Sequence, residues 1–307
     1  MAENRPFNGR PAISIASAIL IAIAMPVQAD AWDPFKDLLT NSQRAIKRLE
    51  QKPPRPPKDA LSSRELDYST RRKKAPFFLA PWAAALVDSR VAEDLKTQGK
   101  SIFCNATLIR KNWAVTSPSC VQNQDPAYIE LRQGSSEISE SQKYRLSGVF
   151  IHPEFRPDSL ENSIALIRLA VPVNSGDFAV VPTQVSDATP SGQVFGWGSI
   201  AEFESLISSS LIQVDTMRID RQLCNSPTYY AGAVSQDMFC AVAVQEGIDT
   251  CLGFGGAGLI SWVDGYQALL GIVSWGEGCG RLNKPTVYTD VAYFREWIQD
   301  VIRKNPD

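Results

Sequence analysis

Apolar residues form one long uninterrupted run near the N-terminus. The run covers about 16 residues from Ala12 to Val27 and follows Arg5 and Arg10. It is shorter than the ~20 residues that a membrane-spanning helix needs, and small residues that suit a signal peptidase come after it. We predict a cleaved signal peptide over residues 1–29, with an uncleaved membrane anchor as the alternative.

Two further stretches show the spacing of an amphipathic helix. Near the C-terminus, the apolar residues that share one helical face are Phe294, Trp297, Ile298, Val301 and Ile302. After the signal segment, the corresponding residues are Phe35, Leu39, Ile46 and Leu49. The proline-rich run Pro53–Pro57 then favours an extended linker. We predict one helix at each of the two positions.

Charge separates the N-terminal arm from the rest of the chain. Residues 32–74 contain twelve Lys and Arg against six Asp and Glu, and residues 75–307 contain 17 against 25, so the net charges are +6 and −8. A basic arm beside an acidic domain can fold back on it or bind a polyanion. The simpler interpretation is a solvated linker with a protease-sensitive site at Arg71–Lys74. We divide the chain into an arm over residues 30–74 and a domain over residues 75–307.

Several spaced motifs in the domain belong together. They are Pro81-Trp82 with the alanine-rich strand after it, C-N-A-T-L-I at Cys104–Ile109, G-W-G at Gly196–Gly198, and the runs Ile272–Cys279 and Lys284–Val291. Together they resemble the trypsin-like serine proteases. The resemblance implies an all-β fold of two six-stranded antiparallel β-barrels, with the active site between them and a C-terminal helix.

The positions that should carry the catalytic triad of that family hold other residues. Ser119 stands where the histidine base is expected in W-A-V-T-S-P-S-C, and Ser163 replaces the aspartate in N-S-I-A-L. Gly255 replaces the serine nucleophile in the loop Asp249–Gly258. The mechanism needs an imidazole and a carboxylate besides the nucleophile. We therefore predict a pseudoprotease that is not an enzyme.

The chain contains a single histidine, His152, in a segment that resembles a surface loop away from the base position. We interpret it as a structural residue. The remaining serines have no other histidine to activate them, so an enzyme with a relocated nucleophile is the weakest alternative.

The activation switch of the family is missing as well. In the family, cleavage frees an I-V-G-G-like terminus, whose amine pairs with an aspartate just before the nucleophile. Residues Ala75–Pro81 contain no such motif, and Phe254 replaces the aspartate. An ammonium group that arrived there would be buried without a partner, which is strongly unfavourable.

All six cysteines lie in the domain, and their number is even. Fifteen pairings are possible from the sequence alone. The resemblance implies the pairs Cys104–Cys120, Cys224–Cys240 and Cys251–Cys279. Disulfides form in oxidising compartments, so together with the signal peptide they predict a secreted protein. A metal site would need C-x-x-C or histidine partners, and we predict neither a metal nor a cofactor.

The resemblance places Asp249 at the base of the specificity pocket, and Ser274, Trp275 and Gly276 where substrate backbone would bind. Thr286 stands where relatives have a glycine that leaves room for a long Arg or Lys side chain. A β-branched residue narrows that wall. We interpret Asp249 as a buried remnant, with capture of a partner's basic side chain as the alternative.

Asn105-Ala106-Thr107 is an N-glycosylation sequon. It lies beside Cys104 in a predicted barrel strand, where the acceptor nitrogen is poorly accessible. We expect Asn105 to be unmodified.

These features predict a secreted, non-catalytic serine protease homologue that binds extracellular proteins as a cofactor, decoy or adaptor, for example in immune or reproductive-fluid proteolysis. Such homologues are abundant in arthropods; many carry a disulfide-rich clip domain, but the arm of this chain has no cysteine. The expected partners are an active protease or its substrate, and a polyanion at the arm. We expect no nucleic-acid or membrane partner. An extracellular adhesion or matrix component is the alternative.

Overall fold

The computed structural model of the protein describes residues 72–91, 101–174, 177–184, 191–202, 207–263 and 265–306. The predicted signal peptide, the predicted helix of the arm and the proline-rich linker lie outside the described residues. Within the described ranges, no helix is long and apolar enough to cross a membrane.

Two closed antiparallel barrels follow a short first strand, β1 (Lys73–Lys74). The strands of the first barrel are β2 (Ala83–Asp88), β3 (Ile102–Arg110), β4 (Trp113–Thr116), β5 (Ile129–Gln133), β6 (Gln142–Ile151) and β7 (Ala165–Leu169). They close in the order β2-β3-β4-β7-β6-β5. The first five residues of β2 are all buried, four of them alanine or leucine, because this strand lies in the barrel wall and also contacts the second barrel.

The strands of the second barrel are β8 (Ser191–Gly196), β9 (Ile212–Arg218), β10 (Met238–Ala243), β11 (Gly258–Val263), β12 (Tyr266–Trp275) and β13 (Thr286–Asp290). They follow the order β9-β10-β13-β12-β11-β8, and pairing of β8 with β9 closes the ring. The predicted fold of two six-stranded antiparallel barrels is therefore confirmed.

Helices are short in the described part of the chain. α1 covers Arg221–Cys224 and α2 covers Arg295–Lys304. Single 3₁₀ turns lie at Phe77–Leu79, Pro118–Cys120, Pro126–Tyr128, Ile138–Glu140 and Ala292–Phe294. α2 confirms the helix predicted at the C-terminus, and the apolar residues predicted to share its face are buried in, or packed against, the core of the first barrel.

The strand β1 was not predicted from the sequence. Lys73 and Lys74 pair antiparallel with Gln213 and Ile212 of β9. The amide of Ala75 continues this pairing by donating to the Leu211 carbonyl. The side chains of both lysines are exposed, so no apolar alternation marks the strand. Backbone pairing therefore adds a seventh, edge strand to the second barrel.

Two ion pairs join the same lysines to the domain. The Lys73 ammonium lies 3.1 Å from a carboxylate oxygen of Asp215, and that of Lys74 lies 3.9 Å from one of Glu137. A solvated linker was the simpler expectation for this segment. Lys73 and Lys74 instead pair with the domain, through backbone hydrogen bonds and through these two ion pairs.

Three disulfides fix the loops between these strands. They join Cys104 to Cys120, Cys224 to Cys240 and Cys251 to Cys279. These are the pairs that the resemblance implies, and the described residues include no free cysteine.

Candidate functional site

Three serine hydroxyls meet in the crevice between the barrels, at the end of β4 and the beginning of β7. The Ser117 Oγ lies 2.9 Å from the Ser119 Oγ and 3.4 Å from the Ser163 Oγ. Ser117 and Ser163 are buried, whereas Ser119 is exposed. The structure thus links two of the predicted triad positions through a third serine, and we call these three residues the serine cluster.

Gly255 lies against the Cys104–Cys120 disulfide, next to the serine cluster. A Cβ added at Gly255 would be 3.3 Å from the Sγ of Cys104 and 3.5 Å from that of Cys120, the neighbour of Ser119. The φ of Gly255 is outside the left-handed region. A Cβ at Gly255 would therefore need the disulfide to give by a few tenths of an ångström.

The serine cluster has hydrogen-bonding capacity but no basic group. Hydroxyls do not titrate near neutral pH and cannot accept a proton from a nucleophile as an imidazole does. The ring of His152 contacts Phe294 and Trp297, with centroids 5.1 and 5.0 Å apart, and burial lowers its pKa. Among the described residues, the hydrogen bonds of the cluster do not include His152.

Phe254 fills the space beside the nucleophile position. Its side chain is fully buried in the core of the second barrel. A Cβ added at Gly198 would overlap the ring, and one added at Gly196 would lie 3.0 Å from its Cε1. Both glycines of the G-W-G motif are thus needed to accommodate this phenylalanine, which occupies the expected aspartate position with an apolar ring.

Asn105 connects the two barrels at the same place. Its Nδ2 donates to the carbonyl oxygens of Trp197 at 2.9 Å and Gly253 at 2.6 Å, and its Oδ1 accepts from the Trp197 amide at 2.9 Å. The side chain is buried, and its Oδ1 would lie 3.0 Å from a Cβ at Gly196. The acceptor nitrogen of the sequon is fully used inside the fold, so a sugar at Asn105 is incompatible with the folded domain.

Asp249 is a buried carboxylate in the second barrel. One of its oxygens accepts from the Thr250 amide at 2.8 Å and lies 3.5 Å from the Thr250 hydroxyl. That hydroxyl is 3.1 Å from the hydroxyl of Thr286, which is also buried. Within the described part of the chain, Asp249 forms no ion pair with a lysine or arginine.

Burial controls the charge of this carboxylate. Desolvation raises the pKa of Asp249 to about 7, against the opposing effect of hydrogen bonds from Thr250, Thr286 and the Gly280 amide. The donors are neutral hydroxyls and amides, which stabilise a carboxylate less than a cation does. The carboxyl group is therefore partly protonated at neutral pH.

The other predicted pocket residues line the same region at the end of β12. The Ser274 hydroxyl is buried and has no hydrogen-bond partner among the described residues. The Trp275 ring packs edge-on to Tyr230 at 4.8 Å, and its Nε1 donates to the Met238 sulfur at 3.4 Å. A Cβ added at Gly276 would make only ordinary contacts, the nearest at 3.6 Å.

Comparison with known proteins agrees with this architecture. The family model described as Trypsin matches residues 78–298. The chain is 31% identical to trypsin-3 of Salmo salar over 211 residues, which are 66% of this chain and 84% of that protein. The chain belongs to the trypsin family. The match covers the stretch of chain that contains Ser119, Ser163 and Gly255.

Other trypsin-family relatives are matched over part of their length. Coagulation factor XII of Cavia porcellus is 32% identical over 65% of this chain and 36% of that protein. Vitamin K-dependent protein C of Oryctolagus cuniculus is 26% identical over 92% of this chain and 60% of that protein. The chain thus spans less than two thirds of the length of these two relatives.

Two residues of this trypsin-family site were not singled out from the sequence. Ser117, which joins the serine cluster, stands where the family motif has alanine, and that departure was the available signal. Thr250, which supplies two of the groups around Asp249, carries no local signal because a threonine is ordinary in a loop. Only the fold brings its amide and hydroxyl to the carboxylate.

Proposed function

We propose that this protein is a secreted, non-catalytic member of the trypsin family that acts by binding other extracellular proteins. The observation that carries the proposal is the serine cluster beside Gly255. Acyl transfer in this family needs a nucleophile, a base and a group that orients the base. In this chain the corresponding positions hold a glycine and two serines.

The hydrogen bonds of the cluster support the same conclusion. The Ser119 and Ser163 hydroxyls both face Ser117, at 2.9 and 3.4 Å. Neither hydroxyl has a carboxylate or imidazole as its partner in these contacts, so neither is activated as a nucleophile. Catalysis of the trypsin type would require three side chains that this crevice lacks.

The position of Phe254 supports the proposal that cleavage no longer activates the domain. An N-terminal ammonium placed beside its ring would lose its water without gaining a counter-charge, which costs several kcal/mol. Strand β1 adds to this, because Lys73 and Lys74 are held by backbone pairing to β9. We therefore expect that cleavage in the arm does not activate the domain.

The fold retains what a binding protein needs. Three disulfides and two complete barrels hold the surface loops in place, and disulfides are typical of secreted proteins. We propose an active protease or its substrate as the partner, with the basic arm contacting a polyanion. Adhesion through the arm remains a weaker proposal, because no described contact favours it.

A covalent probe tests the non-catalytic half of the proposal. Purified full-length protein, intact or cut in the arm, is incubated with a fluorophosphonate probe and with Arg and Lys peptide substrates, beside an active trypsin. We expect no labelled serine and no hydrolysis above the blank. Stoichiometric labelling of any serine would overturn the proposal.

The variant Gly255→Ser sharpens the test. The site accepts the added Cβ with a small shift, so the variant should fold. It should still fail to react with the probe, because Ser119 cannot act as the base. Reaction of this single variant would mean that another group in the crevice supplies the proton transfer.

A further inference from the structure

A groove runs along the first barrel beneath the C-terminal helix, away from the crevice. Two adjoining cavities of about 300 and 470 Å³ share the lining residues Arg110, Phe178 and Ile302. Both cavities lie between the β3–β4 turn, the segment around Phe178 and α2, and we refer to them together as the groove. Its combined size is within the ~300–1,000 Å³ typical of ligand sites.

The walls of the groove have two chemical characters. Its apolar part is formed by Ile109, Phe178 and Ile302. Ile109 and Phe178 are only partly buried and pack on the core of the first barrel. An apolar side chain of a ligand would therefore cover surface that water now contacts.

The charged residues that line the groove all carry the same sign. They are Arg110, Lys111, Arg295 and Arg303. The domain over residues 75–307 contains 25 acidic and only 17 basic residues, so a wall whose described residues include four cations and no acid departs from the composition of the domain. Asp177 and Asp300 stand next to lining residues in sequence but do not line the groove.

The cations differ in how they are held. Arg295 donates to the Val181 carbonyl at 2.9 Å, and Arg303 pairs with Asp300 on the helix. Arg110 and Lys111 are exposed at the β3–β4 turn, and neither forms an ion pair with another described residue. These two are the charges that an anionic ligand would reach without breaking an existing pair.

We infer that this groove binds an acidic segment of a partner protein, with an aliphatic or aromatic side chain of that segment on the apolar wall and its carboxylates at Arg110 and Lys111. A sulfated sugar would satisfy the cations but would gain nothing from Phe178 and Ile302. The chain's own arm carries +6 and would be repelled. The inference gives a site to the proposed binding function and does not depend on whether the crevice is catalytic.

Fluorescence polarisation with the full-length protein tests this site. The probe is a fluorescein-labelled peptide of the sequence E-E-E-F-L-E-E-E. We expect saturable binding that weakens with added salt. The double variant Arg110→Glu, Lys111→Glu should lose about tenfold in affinity, since two exposed charges that attract the peptide are reversed.

The matched control is the double variant Lys143→Glu, Arg145→Glu. It changes the net charge equally, but at exposed positions of β6 that do not line the groove, and should leave the affinity within about twofold. Thermal unfolding of both variants verifies that they fold. A second peptide with Ser-Ser in place of Phe-Leu should bind about tenfold more weakly, since burying two large apolar side chains is worth more than 1.4 kcal/mol.

Three results would overturn the inference. If the acidic peptide shows no saturable binding, the groove does not bind an acidic segment of this kind. Equal loss of affinity in the β6 control would mean non-specific attraction to a charged protein. Equal binding of the Ser-Ser peptide, with full competition by heparin, would assign the cations to a polyanion instead. Reaction with a fluorophosphonate probe, which would end the non-catalytic proposal, has no bearing on these outcomes.

Discussion

The serine cluster and the loop Asp249–Gly256 face the same crevice, but the fold depends on them very differently. On the first barrel, small hydroxyl groups bond to one another, and Ser119 remains exposed. On the second barrel, Phe254 is part of the core and Asp249 is buried among threonines. The first side therefore depends on a few hydrogen bonds between hydroxyl groups, whereas Phe254 on the second side is held by core packing.

The largest expected effect comes from Phe254→Asp, which brings back the family's residue. The variant loses the buried ring and gains a buried carboxylate without a cation, so we expect a loss of roughly 3–5 kcal/mol or more in the free energy of unfolding. Urea denaturation measures it. The control is Leu252→Asp, two residues away and 59% exposed, which should change stability by about 0.5 kcal/mol at most. Similar losses in the two variants would contradict the packing role of the ring.

The next effect is a pH dependence at Asp249. Its folded-state pKa is raised to about 7, above its ordinary value, so ionisation disfavours the folded state. The penalty is absent below pH ~4, grows as the pH rises towards 7 and is constant above it. Asp249→Asn removes the penalty and keeps an acceptor for the Thr250 amide. Its stability relative to the unmodified protein should therefore rise from pH 4 to pH 8, on the order of 2–4 kcal/mol.

Urea denaturation at several pH values checks this expectation. Asp158→Asn, at an exposed position, is the matched control and should show a difference that does not change with pH. If the Asp249→Asn difference is also constant with pH, the carboxylate has a cationic partner or is solvated, and the interpretation as a buried remnant is wrong.

The smallest effects are expected in the serine cluster. Ser119→Ala should change stability by about 0.5 kcal/mol at most, because its hydroxyl is exposed to water. Ser117→Ala removes the group common to both hydrogen bonds and should cost about 1 kcal/mol. Thermal unfolding can compare the two variants. A cost of several kcal/mol for Ser119→Ala would mean that the first-barrel side is integrated into the core as well.

Much of the fold could be predicted, because its signals are local or lie in spaced motifs. The apolar face from Phe294 to Ile302 predicts α2, and the motifs around Cys104 and Trp197 imply the two barrels. Strand β1 could not be predicted, since Lys73 and Lys74 are exposed and are placed in the sheet by backbone pairing with β9. Such pairing leaves no trace in side-chain polarity.

The sequence predicts which residues form the candidate site, but it does not predict most of the contacts between them. Ser119, Ser163 and Gly255 follow from their places in motifs. That Asn105 and Phe254 would both pack on Gly196 could not be foreseen, because the three residues are far apart in the chain and meet only where the barrels touch. The groove under α2 was missed for the same reason. Its cations belong to separate segments, and none of them stands out in an acidic domain.

The contacts of Asn105 also bear on the order of events while the chain folds. Its side-chain nitrogen reaches the carbonyls of Trp197 and Gly253 only after the second barrel has docked on the first. In a chain that is secreted as proposed, the sequon is open to the glycosylating enzyme until that moment. A sugar attached in that interval would hold the barrels apart. Barrel docking and sugar transfer are thus kinetic competitors, and the faster of the two decides whether a given molecule reaches the native state.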